Sequence, residues 1–129
     1  MSKTNYLENA IGNHILRNVA YTSPTLVYVG LFTAAPGEAG GGTEVAGNGY
    51  ARKIATFAAP VTPGVFSNSN TITFDVATPG GWGTLTHFAV FDAVSGGNML
   101  YYGSISVPKL IDVGDAAVYQ PGQLIITED

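Results

Sequence analysis

The two histidines are the residues best suited to catalysis or metal binding, and their spacing argues against both roles. His14 and His87 are the only histidines in the chain, and neither stands in an HxH or HExxH pattern that would bring two imidazoles onto one metal ion. The chain has no cysteine, which excludes disulfides, cysteine-ligated zinc, iron–sulfur clusters and thiol catalysis. A hydrogen-bonded structural or interface role is the better interpretation of both histidines.

The serines, aspartates and glycine runs give no stronger chemical signal. Ser104 lacks the glycine two residues later that a G-x-S-x-G nucleophile elbow requires. Asp92, Asp112 and Asp115 do not follow the spacing of a twelve-residue calcium loop and are common turn residues. The glycines at 40–42 precede neither Lys-Ser/Thr nor a helix pattern, so they predict a flexible loop rather than a phosphate cradle. We therefore expect no enzymatic activity, no metal and no cofactor.

Trp82 is the one aromatic residue whose surroundings allow two interpretations. It is the only tryptophan, and it lies between Gly81 and Gly83, where the backbone can approach closely. An exposed tryptophan there would anchor a partner or stack on a glycan, whereas one that folds back would cap the end of a sandwich. Packing is marginally the stronger interpretation. Together with Tyr6 and His14, which lie outside the expected strand core, Trp82 remains a candidate interface residue.

The composition narrows the class of protein. The 129 residues predict one domain, 1–129, with 46% hydrophobic and only 11% charged residues, against about 25% charged in an average globular domain. A net charge of −4 without a basic run argues against nucleic-acid binding. No signal-peptide core and no run of 18 apolar residues is present, so we expect no membrane association. The small number of charged residues favours a surface that neighbouring subunits partly cover, as in a homo-oligomer.

The N-terminal region predicts the one substantial helix, at about 6–20. Asn5 and Glu8 have the spacing of a capping box, and the segment 22–24, which ends in a proline, is expected to stop the helix. Apolar residues recur every four positions and are expected to pack together on one face: Leu7, Ile11, Ile15 and Val19.

The rest of the chain, about 25–128, predicts strands. Thr25–Thr33 is apolar on both faces, so we expect a central strand with the helix over one side. In Asn70–Val76 the alternation places Ile72, Phe74 and Val76 inward. Other strands are expected at Tyr50–Phe57, Thr84–Phe91, Asn98–Val107, Val118–Gln120 and Leu124–Thr127.

Two turn signals complete the architecture. The segment 95–98 (Ser-Gly-Gly-Asn) predicts a hairpin, and Pro121-Gly122 is expected to close a second one between the last two strands. Seven or eight short strands with turn signals throughout predict a mainly β protein, a β-sandwich or jelly-roll-like domain with one N-terminal α-helix.

Eleven short stretches, taken in order along nearly the whole chain, resemble a family of small tailed-bacteriophage virion proteins. That family is labelled Gp80-like or phage tail fiber protein, and it is similar in size and β content to capsid decoration, or cement, proteins. The resemblance implies a structural role in the virion and brings no catalytic residues with it. The stretches are 6–10, 16–18, 21–24, 27–33, 49–52, 82–84, 86–88, 91–93, 95–98, 100–103 and 113–115.

Three functions follow from this resemblance and from the residues. The first is a capsid decoration protein, a homo-oligomer that binds and stabilises the head shell, with the major capsid protein as its partner. The alternative is a tail or tail-fiber component, although the chain has no heptads and no repeats typical of a fiber shaft. The third is a carbohydrate-binding module that uses Trp82. None of them requires a nucleic acid or a membrane.

Overall fold

The computed structural model describes residues 2–128, and within them the chain forms one helix and ten strands. The prediction of a mainly β fold with one helix near the N-terminus is confirmed. In chain order the elements are β1 (Ser2–Lys3), α1 (Asn5–Arg17), β2 (Val27–Ala34), β3 (Thr43–Glu44), β4 (Lys53–Ala55), β5 (Val65–Ser67), β6 (Ile72–Thr73), β7 (Gly83–Phe91), β8 (Met99–Ile111), β9 (Val118–Tyr119) and β10 (Ile125–Thr127).

The main sheet is antiparallel, with the strand order β1-β8-β7-β2-β3 and with β4 also paired to β2. The predicted central strand is confirmed, because β2 is bonded to β7 on one side and to β3 and β4 on the other. Its middle residues, 29–32, are all buried. A strand that is buried on both faces requires the continuous apolar run that the sequence contains.

Two short ribbons, β5–β10 and β6–β9, cover one face of the main sheet. Their side chains and those of the sheet form one core, so the arrangement is sandwich-like with a divided second layer. Buried contributors from the sheet and the ribbons are Val29, Leu31, Leu85, Phe88, Val90, Ile72, Tyr119, Leu124 and Ile126.

The helix does not cover β2, as the sequence had suggested, but packs against β8 and β1. The other face of β2 is covered by aromatic rings and by a loop residue. The rings of Phe32 and Phe91 are stacked with centroids 6.2 Å apart, and the Arg52 guanidinium lies 3.4 Å from the Phe91 ring centroid. The Arg52 cation, stacked on the Phe91 ring, therefore covers the face of β2 that we expected the helix to cover.

The predicted helix boundaries, 6–20, are wrong at the C-terminal end, and the predicted cap is wrong by one residue. Thr4 is the N-cap, and its hydroxyl accepts from the Leu7 amide at 3.4 Å, so Asn5 is the first helical residue. The helix ends at Arg17 because Asn18 takes the left-handed conformation, with φ 56° and ψ 36°. Asparagine tolerates that conformation better than most residues, and it ends the helix well before Pro24.

The final predicted hairpin does not form. The strands on either side of Pro121-Gly122 turn away from each other, since β9 pairs with β6 and β10 pairs with β5. The turn is nevertheless real: the Gln123 amide donates to the Gln120 carbonyl at 3.1 Å. It connects the two ribbons of the second layer instead of joining two neighbours in one sheet.

Asn68 is the buried polar residue that holds this connection. Its side-chain amide donates to the carbonyls of Asn70 and Gln120 at 2.9 and 3.0 Å. Its side-chain oxygen accepts from the Leu124 amide at 3.0 Å. The bonds to Gln120 and Leu124 satisfy backbone groups on either side of the turn, so these groups have partners although the hairpin does not form.

The alternation expected in 70–76 also breaks off early. Ile72 and Phe74 are buried as predicted, but Val76 is 56% exposed and Ala77 is buried in its place. Beyond Thr73 the amides of Phe74 and Ala77 donate to the carbonyls of Ala117 and Asp115, both at 2.9 Å. The paired positions are therefore three residues apart here, and the period of two is lost. By contrast, the hairpin at 95–98 is confirmed, with the Asn98 amide donating to the Asp92 carboxylate at 2.7 Å.

Candidate interaction surfaces

Trp82 lies inside the molecule. Its side chain is 6% exposed, and its indole N–H donates to the Asn48 carbonyl at 2.9 Å. The ring meets Tyr50 edge-on with centroids 5.4 Å apart and Phe74 at 6.4 Å. Of the two interpretations of the sequence, the structure agrees with packing at the end of the sandwich. Trp82 therefore presents no exposed ring to a partner or a glycan, which corrects its prediction as a candidate interface residue.

A charged cluster beside it is also structural. Arg52 donates to both oxygens of the Glu44 carboxylate at 2.8 and 2.9 Å, and the Tyr50 hydroxyl donates to the same carboxylate at 2.6 Å. Gly30 makes room for this, since a Cβ there would lie 2.7 Å from a Glu44 oxygen. Another Arg52 nitrogen donates to the carbonyls of Ala93 and Gly96 at 2.9 and 2.8 Å, so the guanidinium ties the 92–98 hairpin to the sheet.

Three tyrosine hydroxyls are shielded from ionisation by burial. Burial and the bond to Glu44 raise the pKa of Tyr50, and burial and a bond to Glu128 raise the pKa of Tyr101. Burial alone raises the pKa of Tyr119 to about 12. The Tyr119 hydroxyl is buried and finds no hydrogen-bond partner within the described chain.

The aspartates serve turns. Asp92 accepts the amide of Asn98 in the first hairpin, and Asp115 accepts the amide of Asp112 at 2.9 Å. Within residues 2–128, no group of three or more His, Asp or Glu side chains is placed to share a metal ion. His87 is half-buried on β7, with Nδ1 2.8 Å from the Thr86 hydroxyl.

Tyr6 and His14 belong to one segment that leaves the main sheet and returns to it. We call this segment, residues 4–26, the arm. The arm leaves the sheet where Thr4 donates to the Met99 carbonyl at 2.7 Å, and it returns at Val27, the first residue of β2. Tyr28 pairs with Phe91 and Phe91 pairs with Met99, so the arm leaves and returns at the same end of the sheet. Tyr6 is 43% exposed, and His14 is exposed on the helix.

The tip of the arm, residues 13–19, is closed on itself and apolar on the outside. The Val19 amide donates to the Asn13 carbonyl at 3.1 Å, and His14 Nδ1 lies 3.2 Å from the Val19 carbonyl oxygen. Ile15 and Leu16 are 70% and 84% exposed, and Val19 is 45% exposed. Of the predicted apolar row, only Leu7 is buried, whereas Ile11 is half-buried and Ile15 and Val19 are exposed.

Further exposed apolar residues lie where β8 finishes, in a region that we call the loop end. Leu110, Val113 and Val76 are 60%, 57% and 56% exposed. The segments meet because the Ala77 amide donates to the Asp115 carbonyl and the Gly114 amide to the Ala77 carbonyl, both at 2.9 Å. Asp112 and Asp115 are exposed at the same place.

Two of the clefts on the described surface lie beside elements already named. One, of about 590 Å³, lies between the root of the arm and the loop 38–42, and an apolar groove of about 250 Å³ lies between Phe66 and Tyr101. No helix among residues 2–128 has the length and apolar character needed to cross a membrane.

Sequence reasoning identified Tyr6 and His14 but missed the exposure of Leu16. A signal was available, because Ile15 and Leu16 are adjacent and point about 100° apart on a helix. If the helix packs on the sheet with the face that contains Leu7, then Ile15 and Leu16 cannot both lie on that face, so at least one of them is exposed. The loop-end residues carried no such signal, since strand alternation near Val76 predicted burial.

A sequence model of the family described as "Podophage GP4 fiber I protein gp80" matches residues 2–127. No curated protein matches the chain.

Proposed function

Because the chain belongs to this family of podophage fiber proteins and is a structural protein of the phage virion, we propose that it is a fiber subunit. In this role it associates with further copies of itself and with other virion proteins. The resemblance noticed in the sequence is confirmed at the level of the family and of the virion.

The match over residues 2–127 carries this proposal, and the exposed apolar arm tip supports it. A monomer with few charges would gain from burying Ile15, Leu16 and Val19, which otherwise leave apolar area in water at a cost of about 25 cal/mol per Å². Single exposed apolar residues are ordinary, but several together mark contact surfaces. A subunit of an assembly needs such surfaces, and a free-standing binding module does not.

The proposal includes no catalysis and no bound metal. The polar clusters have structural partners: Arg52 and Glu44 pair with each other, and Asp92 and Asp115 hold turns. Groups committed in this way lack the free, convergent geometry that general acid–base or nucleophilic catalysis requires.

Labelling of intact virions tests the fiber role. Gold-conjugated antibodies against the purified chain, viewed by electron microscopy, are expected on fibers and not over the head shell. A quantified gel of purified virions should show a copy number far below that of the major capsid protein. Labelling spread over the head, with hundreds of copies, would contradict the fiber role.

Labelling over the head would instead favour the second candidate function, a capsid decoration protein that binds the major capsid protein. The observation favouring it is the compact sandwich-like domain, which contains no shaft-forming repeat. A carbohydrate-binding module has less support, because the proposed stacking residue, Trp82, is 6% exposed.

A further inference from the structure

We propose that a cleft beside the middle of β8 binds an extended peptide segment of another virion protein, one that carries an apolar side chain next to a carboxylate. The inference rests on the proposed function and deepens it by naming the surface and the chemistry of the partner. We call this surface the strand cleft. Its volume is about 280 Å³, and it is lined by residues 104–107 and 109 of β8, by residues 118, 119 and 123–125, and by Phe88.

The β8 side of the strand cleft is a stretch of backbone that leaves the register of the main sheet. The pairing passes directly from His87 with Ser104 to Leu85 with Lys109, so residues 105–108 lie opposite a single residue of β7. The other neighbour of β8, β1, pairs only upstream of Ser104. Residues 105–108 therefore have no strand partner within the described chain, and an open edge of this kind can pair with an added strand.

The opposite side of the strand cleft comes from two strands whose outer edges are also open. β9 pairs with β6 and β10 pairs with β5, each in a two-stranded ribbon. Among residues 2–128, no strand lies on the other side of β9 or of β10. A peptide in the cleft thus lies between open backbone edges, and main-chain hydrogen bonds to such edges are what give strand addition its affinity.

The lining of the strand cleft is largely apolar. Phe88 and Leu124 are each 2% exposed and belong to the core, whereas Val107 and Ile125 are 74% and 51% exposed. The volume is close to the lower end of the range for small-ligand pockets, about 300–1,000 Å³, so the cleft accepts a short segment and not a folded surface. Since alternate side chains of a strand point to the same face, an apolar side chain of the added strand can enter this lining.

Lys109 gives the strand cleft its charge. Its side chain is exposed and makes no ion pair with any described residue. No aspartate or glutamate is among the described residues that line the cleft, so the cleft is locally positive on a chain whose net charge is −4. A carboxylate beside the apolar side chain of the peptide complements Lys109, and complementary charge across an interface gives specificity and speeds association.

Two features limit what the strand cleft accepts. Pro108 has no amide hydrogen to donate, and a proline, a lysine and a bulge are the devices that keep an open edge from pairing indiscriminately. They restrict the added strand to a short segment. The ends of the chain itself do not supply that segment, because residues 2–3 pair with β8 and residues 125–127 pair with β5. The peptide therefore comes from a different virion protein.

The test uses the purified whole chain and an array of short overlapping peptides that covers the virion proteins of the phage, this chain included. The peptide that binds best is synthesised in two forms, one with its acidic residue intact and one with that residue replaced by the matching amide. Isothermal titration calorimetry measures the affinity of both forms for each variant of the chain.

The variants change exposed residues of the cleft, and each has a matched control outside it. Lys109→Glu is matched by Arg17→Glu, which reverses the charge of an exposed residue on the helix. Val107→Asp is matched by Val61→Asp, because Val61 is 99% exposed and lies outside the cleft. Circular dichroism confirms that each variant is folded.

We expect the best peptide to contain an apolar residue next to an acidic one. Lys109→Glu should weaken the binding of the acidic form about tenfold, a change of about 1.4 kcal/mol, and should leave the binding of the amide form unchanged. Val107→Asp should weaken the binding of both forms, whereas the two controls should bind both forms as the wild type does. In NMR spectra of the isotope-labelled chain, the peptide should shift the backbone amides of residues 104–107, 118–119 and 123–125.

Four results would overturn the inference. They are an array without a binding peptide, a best peptide that comes from this chain itself, equal binding of the acidic and amide forms to the wild type, and amide shifts that lie outside the strand cleft. The first of these, combined with fiber labelling in virions, would leave the fiber function intact and remove only the strand cleft. Peptide binding in the cleft together with labelling over the head would keep the cleft and overturn the fiber function.

Discussion

The Trp82 cluster and the arm tip differ in a way that residue type alone does not suggest. Trp82 lies between two glycines and is buried, whereas Ile15 and Leu16 belong to a regular helical pattern and are exposed. The difference comes from what surrounds each site. Trp82 packs against Tyr50 and Phe74 from other segments of the chain, while residues 14–20 of the arm are all exposed. A regular apolar pattern predicts which residues share one face of a helix. That face becomes part of the core only where another segment of the chain packs against it.

The largest expected loss of stability comes from a change at the buried Trp82. Trp82→Ala removes a ring packed against Tyr50 and Phe74 and leaves the Asn48 carbonyl without its indole donor. Such truncations cost about 4 kcal/mol of unfolding free energy, measured by urea denaturation. A loss below about 1 kcal/mol, a typical value for an ordinary point substitution, would show that the cluster is loosely packed.

Asn68→Ala should have the next largest effect. It removes three side-chain hydrogen bonds, of which two hold the 120–124 turn and one holds the Asn70 carbonyl, and it leaves the bonded backbone groups without these partners. We expect a loss of about 3 kcal/mol, since unsatisfied buried groups cost about 1–3 kcal/mol each with partial relaxation. Thermal unfolding followed by circular dichroism measures it, with Ser69→Ala as the control at an exposed neighbouring position.

Alkaline pH should weaken the core through its tyrosines. The pKa values of Tyr50, Tyr101 and Tyr119 are raised in the folded state, so the unfolded chain loses these protons first, from about pH 10. Their contribution to stability is complete below pH 10 and is lost as pH rises toward 12 and beyond. The melting temperature should fall across that range; a flat profile would contradict the burial of these hydroxyls.

Tyr119→Phe sharpens the same point with a smaller effect. It deletes a buried hydroxyl that has no partner while keeping the ring, so stability at pH 7 should stay the same or rise by up to about 1 kcal/mol. The fall in melting temperature between pH 10 and 12 should also become shallower. Destabilisation by more than about 1 kcal/mol, the worth of a typical hydrogen bond, would reveal a bond that the hydroxyl makes.

The smallest effect belongs to the arm. Leu16→Ser should change the unfolding free energy of the isolated chain by less than about 0.5 kcal/mol, as at other exposed positions. Urea denaturation at low protein concentration, where association is absent, provides the measurement. A large loss would mean that Leu16 packs against the body, and the contrast with Trp82 would disappear.

Much of the strand layout could be predicted because it depends on local patterns. The apolar run at 27–34 and the Gly-Gly turn at 96–97 each specify their structure within a few residues. The end of the helix and the fate of the Pro121-Gly122 turn could not be predicted in the same way. The first depends on Asn18 taking a left-handed conformation, and the second on Asn68, more than 50 positions away from Gln120.

The sequence by itself determined the class of the fold, the absence of cysteine chemistry, the scarcity of charge and the family. These properties follow from composition, from periodicity and from short motifs, which are local. Only the tertiary structure decided which apolar residues are buried, because burial of Trp82 and exposure of Leu16 depend on segments distant in the chain. It also decided that the turn at 112–115 lies beside Ala77, since hydrogen bonding between segments, and not sequence separation, sets that distance.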